Sequence, residues 1–445
     1  MSELNLPQDP LKVAYITAGA GGMYCGSCMH DNTLASALAR QGVDIQLIPL
    51  YTPIRTDEDD FSIDRVFFGG INVYLQQKIP LFRWLPSLLD RWFDSPRLIR
   101  WATAGAGDTS PKELGSLAVS MLKGTSGYQR KEVRKLCTWL AKSVQPHLVT
   151  LTNMLIAGCV PAIKESLGIP VLVTLQGDDV FLDDLIEPYK SQAFEEIHTL
   201  VDYVDGFIVN TRYYADLMSE YFKIPPEKFR IVPLGIDTTD FQQFADSDAS
   251  DRRNGEPPTI GYLARLAPEK GLHVLVDAFI NLRLREEMQD ARLKIAGWLG
   301  EKNRGYVETE FAKLRNAGLD AAFEYIGEVD RSGKIDFLSR IDVLSVPSVY
   351  QDPKGLYVLE ALAAGVPAVQ PSHGAFPELS ERWQGCGLVP AEDPDALANE
   401  LHRLLMDRQM IGELGQAGCR RIHESGNADV MATAMVDVYR AFTRS

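Results

Sequence analysis

Ser348-Val349-Tyr350-Gln351-Asp352-Pro353-Lys354-Gly355-Leu356-Tyr357-Val358-Leu359-Glu360-Ala361-Leu362-Ala363-Ala364-Gly365-Val366-Pro367 is the stretch on which the fold turns. The six residues before it, Asp342 to Pro347, form a short apolar run of the kind that makes a buried strand. Within it, Leu356, Leu359, Leu362 and Ala363 recur at helical spacing and stop at Gly365, a favoured helix terminator. Gly355 therefore lies where a loop leaves a strand and opens a helix. Unpaired amides and the positive end of the helix dipole converge there, an environment that attracts phosphate. One acid in the loop, Asp352, and one a turn inside the helix, Glu360, are placed to accept hydrogen bonds from the hydroxyls of a sugar or a ribose.

The same stretch resembles the Glu-x7-Glu signature of retaining GT-B glycosyltransferases of the family-4 type. Pro347, Ser348, Gly355, Leu356, Glu360, Ala361, Ala363, Gly365 and Pro367 match it, whereas Asp352 stands where the family has Glu and Pro353-Lys354 replace Gly-Phe. The resemblance implies that Asp352 contacts the donor sugar, Glu360 the nucleotide ribose, and the amides of Gly355 and Leu356 the diphosphate. Linked motifs further along resemble the same family. A strand from Thr259 ends on Arg265, and Lys270 follows at the start of a helix. Two fixed cations suit a leaving diphosphate, whose charge grows as the glycosidic bond breaks. Gly297 and Gly327 close two further strands, on the side where the family holds its base.

Size and composition agree with a two-domain enzyme. The chain has 445 residues, enough for two domains of about 200 each. A charged fraction of 24% and a hydrophobic fraction of 45% describe a globular protein. The net charge of −15 argues against a general nucleic-acid binder. Six cysteines are too sparse for a disulfide framework, and Met1 to Pro7 lacks the basic and apolar segments of a secretory signal. With no apolar run of about 18 residues, a cytoplasmic protein is expected, with contact to the inner face of the membrane as an option.

The first half opens with a strand from Leu11 to Thr17, a glycine loop containing Gly21 and Gly22, a helix ending near Gly42 and a second strand from Val43 to Leu50. That order begins a doubly wound α/β domain. A dinucleotide fingerprint would require glycine where Tyr24 stands. The family resemblance instead places Gly21 and Gly22 against the donor. Cys25 and Cys28 have a C-x-x-C spacing but no further ligands nearby, so they read as loop-filling thiols. Asp31 reads as a helix N-cap, and His30 beside it as a candidate contact for the acceptor.

Between about 75 and 142 the strand–helix alternation lapses into a helical, aromatic-rich insertion. Its segment from Ile79 to Trp101 suits either a cap over the acceptor side or a membrane surface. The strand from Pro170 ends in Gln176-Gly177-Asp178-Asp179, where the family has a histidine facing the donor sugar. Gln176 keeps both hydrogen-bonding capacities but cannot titrate. Asp178 is a second candidate for the acceptor. Asp178, Asp179, Asp183, Asp184 and Glu187 read as a solvated acidic face rather than a metal site.

The expected organisation is a GT-B fold, two Rossmann-like doubly wound domains facing each other across a cleft that closure completes. Residues 1–241 form the acceptor-side domain, 242–258 the linker, 259–424 the nucleotide-sugar domain, and 425–445 a helix crossing back to the first. The expected reaction is retaining transfer of a hexose from a nucleotide-diphosphate sugar to a glycan, lipid or small-molecule hydroxyl. Arg265, Lys270, Asp352 and Glu360 form its core, with no cofactor and no metal. Two alternatives are a homologue that binds nucleotide-sugar without transferring it, and a nucleotide-sugar epimerase.

Overall fold

A computed structural model describes residues 10–19, 26–68, 111–245 and 255–444. Gly21, Gly22, Cys25, the segment 79–101 and most of the expected linker lie outside them. The chain divides into two compact units, Met1–Val232 with Met431–Ser445, and Pro233–Val430.

The first unit holds strands β1 (Lys12–Thr17), β2 (Asp44–Pro49), β3 (Leu148–Leu151), β4 (Val171–Thr174), β5 (Gly206–Val209) and β6 (Phe229–Ile231), all parallel in the order β2-β1-β3-β4-β5-β6. β3, β4 and β5 are buried at every residue. This is why they read as unbroken apolar runs rather than alternating ones. Helix α1 (Gly26–Arg40) packs between β1 and β2 in the chain order. Of the expected insertion, the described part carries helices Pro111–Leu122 and Arg130–Trp139.

The second unit holds β7 (Thr259–Leu263), β8 (Arg292–Ala296), β9 (Phe323–Gly327), β10 (Val343–Leu344), β11 (Ala368–Pro371) and β12 (Cys386–Val389). These are also parallel, in the order β12-β11-β10-β7-β8-β9. Read from β9, the order is third, second, first, fourth, fifth, sixth, the arrangement of nucleotide-binding doubly wound sheets. The order reverses between β7 and β10, and ligands of such sheets bind beyond the strand ends at that point. In the first unit the reversal falls between β1 and β3. The helices used below are α2 (Leu272–Arg283), α3 (Arg331–Ser339), α4 (Leu356–Ala363) and α5 (Ala428–Thr443).

Three expectations shift. The first unit ends at Val232 rather than 241, because Leu234, Ile236, Phe241 and Phe244 bury themselves in the core of the second. Gln242–Ala245 is accordingly a helical turn and not linker. The returning segment joins the first unit from Met431 within α5, where Gln41 Nε2 donates to Thr433 Oγ1 at 3.1 Å. Asp31 is no N-cap: it lies inside α1, fully buried.

Candidate active site

Two loops meet at the strand-order reversal of the second unit. The first leaves β7 through Ala264 and Arg265, makes a 3-10 turn at Pro268–Lys270, and enters α2 after Gly271. Gly271 has φ +71°, and a side chain there would overlap the Pro347 carbonyl. The second loop leaves β10 and enters α4 after Gly355, whose φ is +61°. The Val349 amide donates to the Glu269 carbonyl at 3.1 Å and ties the loops together.

Asp352 is the meeting point. Its Oδ2 accepts from Lys270 Nζ at 2.6 Å, and its Oδ1 from the amides of Lys354 at 3.0 Å and Gly355 at 3.1 Å. Tyr357 donates its hydroxyl to Oδ2 at 3.3 Å. Lys270 also donates to the Tyr350 hydroxyl at 2.9 Å and lies 4.6 Å from that ring's centre. Burial opposes ionisation of Asp352. The Lys270 charge, its hydrogen bond and the two amides outweigh burial, and hold the carboxyl well below the usual carboxylate range. Burial, then the Asp352 charge, push the Tyr350 and Tyr357 hydroxyls well above theirs, so both stay protonated donors.

The other expected residues of this unit have partners of their own. Arg265 is half-exposed and paired with Glu269 at 2.5 Å. Glu360, buried in α4, accepts from Lys334 of α3 at 2.6 Å. The Gly297 amide donates to the Gly327 carbonyl at 2.8 Å, which joins the ends of β8 and β9 beside the β7 loop. The Gly355 amide, expected to meet phosphate, already serves Asp352.

Reading the sequence missed Glu269, Lys334, Tyr350 and Tyr357 as partners. A signal for Lys334 existed: with Phe337 and Leu338 it sits at the i, i+3, i+4 spacing of an apolar helix face, and all three are buried.

The first unit has its own polar centre at the ends of β1, β3 and β4. Buried Asp31 accepts from Tyr15 at 2.7 Å, Thr17 at 2.8 Å, Thr152, and Gln176 Nε2 at 2.9 Å. His30 Nδ1 lies 3.3 Å away. Burial works against the Asp31 charge, but bonds from His30, Thr152 and Tyr15 keep its carboxyl below the ordinary value. Gln176 also donates to Thr152 Oγ1 at 3.0 Å. The expected residues His30 and Gln176 thus share one buried network.

The acidic run does not converge. Asp178 accepts from the Met154 and Gln176 amides, Asp179 from Tyr214, and Asp183 from Lys190. Burial pushes Asp178 up to about 6. Among the described residues no group of three or more His, Cys, Asp or Glu side chains is placed to hold a metal ion.

Two family models match in chain order. Glycosyltransferase Family 4 covers residues 118–240, and Glycosyl transferases group 1 covers residues 243–421. The D-inositol 3-phosphate glycosyltransferase of Corynebacterium kroppenstedtii is 28% identical over 267 residues. That match takes in 58% of this chain and 58% of the relative. Sucrose-phosphate synthase from Thermosynechococcus elongatus superposes with a TM-score of 0.68 at 18% identity, covering 98% of this chain and all of that one. HepE of Anabaena, solved in complex with UDP and glucose, gives 0.65 at 14% identity over 97% of this chain and all of its own. The chain belongs to the GT-B glycosyltransferases of the family-4 type, and its two parallel-sheet units are the α/β fold of that class.

Proposed function

We propose that the protein is a retaining hexosyltransferase that moves a sugar from a nucleotide-diphosphate donor to an acceptor hydroxyl. The observation that carries this reading is the junction of Lys270, Asp352 and Gly355 at the strand-order reversal of the second sheet. It joins a cation, a carboxylate and a helix opening at the place where doubly wound sheets bind nucleotides. HepE, a structural neighbour, binds UDP and glucose.

In this reading Lys270 and Arg265 stabilise charge building on the departing diphosphate. Gly297 and Gly327 flank the base. Glu360 receives the ribose hydroxyls, and the Leu356 amide faces phosphate. Asp352 meets the sugar hydroxyls and fixes Lys270, so the donor's diphosphate shares that ammonium with it. Gly21, Gly22 and Gln176 contact the donor, and His30 and Asp178 the acceptor. The donor needs no resident cofactor or metal. The acceptor is a glycan, lipid or small-molecule hydroxyl. Among the described residues no helix is long and apolar enough to cross a membrane.

A thermal-shift screen against UDP-, GDP- and ADP-sugars tests the reading, with the Arg265→Ala/Lys270→Ala variant alongside. Donor at about 100 times its dissociation constant adds roughly 2.7 kcal/mol of stability. A shift by one nucleotide series that disappears in the variant, together with release of free nucleoside diphosphate on incubation, is expected. No shift with any of the three would overturn it.

A further inference from the structure

Lys334 and Glu360 form an ion pair at 2.6 Å with side chains only 8% and 7% exposed. Such a pair is an expensive way to hold two helices together. Both ions give up hydration, and apolar residues of similar volume usually serve stability as well or better. The pair's position says more than its energy. α3 follows β9 and α4 follows β10, so both helices begin at the carboxyl edge of the sheet, the edge that also carries the Lys270–Asp352 junction. Asp330 caps α3 by accepting from the Gly333 amide at 2.8 Å, which fixes the turn that carries Lys334. The ammonium engages Oε1 of Glu360. A carboxylate has about four lone-pair directions, so acceptance from one ammonium leaves capacity for a pair of neighbouring hydroxyls.

We propose that Lys334 is a positioning residue for the donor nucleotide: its ammonium orients the Glu360 carboxylate to receive the two vicinal hydroxyls of the ribose. This rests on the reading above that Glu360 meets the ribose. Lys334 itself touches no donor atom. A carboxylate without its ammonium would turn or be displaced, and the ribose hydroxyls would lose a fixed acceptor. The base and the diphosphate, held elsewhere, would be bound as before. The consequence is selective: affinity for a nucleotide with both hydroxyls falls, and affinity for one without them does not.

Calorimetric titration of the full chain with UDP, GDP and ADP, each beside its 2′,3′-dideoxy counterpart, reads that selectivity. The wild type is expected to prefer the ribonucleotide by about tenfold or more, the value of a hydrogen bond to a charged group. Lys334→Met should reduce this preference to about twofold or less while dideoxynucleotide affinity stays within about threefold. Lys334→Arg should keep more of the preference than Lys334→Met. A loss of equal size for both ligands in Lys334→Met would overturn the proposal, because a merely structural role predicts that result. If Lys334→Met does not fold, Lys334→Gln and Lys334→Arg carry the test, and an unchanged preference in both overturns it. Glu360→Leu separates the two levels of argument. A preference that survives Glu360→Leu removes the ribose role itself. A preference lost in Glu360→Leu but kept in Lys334→Met removes only the positioning role. Failure of the wild type to bind any of the three nucleotides removes both.

Discussion

Asp178 and Asp352 are both buried carboxylates that accept two backbone amides, yet their ionisation shifts in opposite directions. At Asp178 burial outweighs the Gln176 and Met154 amides, and the carboxyl rises to about 6. At Asp352 burial is overcome by Lys270 and its own loop amides. The folded protein therefore holds a proton on Asp178 that the unfolded chain, near 3.9, has released. This residue's contribution to stability is full below about pH 4 and is lost as the pH rises through about 6. Asp352 has the reverse sign. Its contribution is full above about pH 4 and is lost only in stronger acid, as the pH falls through its depressed value. Carbon-13 detection of the side-chain carboxyls should show one aspartate titrating near pH 6, absent in Asp178→Asn, and no titration of Asp352 above about pH 4. A normal midpoint for either signal would refute its assignment. Lys270 and Arg265 should also differ. Lys270→Met strands a buried carboxylate and should cost about 3 kcal/mol in urea denaturation. Arg265→Ala, whose pairing with Glu269 is half-exposed, should cost less than about 1 kcal/mol. That Asp352, Gly355 and Glu360 share one loop and helix was legible because they lie in one contiguous stretch. Lys334 and Asp31 were not, because their meaning depends on partners brought in by the fold: Glu360 lies 26 residues from Lys334, and Thr152 lies 121 from Asp31.

At the scale of elements, the turn at Pro268–Lys270 aims Lys270, and Gly271 makes that turn possible. Gly271→Ala combines a left-handed backbone with overlap against the Pro347 carbonyl, so a loss of more than about 2 kcal/mol is expected by urea denaturation. Because Pro347 leads into the Asp352 loop, nucleotide binding by the variant should weaken as well. Wild-type stability in Gly271→Ala would show that the turn yields without strain. Strands here were easy to read, since sheets covered on both faces leave apolar runs of four or five residues. Asp31 was misread for a local reason: acids favour helix starts, and α1 begins five residues earlier at Gly26.

At the scale of the molecule, the two sheets share a parallel design but differ in strand order, which reverses between β1 and β3 in one and between β7 and β10 in the other. The twofold division was legible from length and from two successive strand–loop–helix openings. The boundary at Val232 was not. Leu234, Ile236, Phe241 and Phe244 are apolar residues that either core would accept, and only packing decides which one does. The return of the chain was legible in kind, as a last helix, although its register was not. Met435, Val436 and Tyr439 of α5 are buried, each worth about 2 kcal/mol of apolar burial. Deleting 431–445 should therefore destabilise the first unit by more than about 5 kcal/mol. Limited proteolysis should show new cleavage before Val232, and an unchanged digestion pattern would contradict this.

That last helix also sets an order of birth. The ribosome makes β1 to β6, then roughly 200 residues of another unit, and only then the segment that seats Tyr439. At about 5–20 residues per second the first unit waits some 10–40 seconds for its final piece. During that interval the nascent chain shows the apolar surface that α5 will later cover. Each molecule therefore passes through a stage in synthesis when chaperones have a target that the finished protein no longer displays.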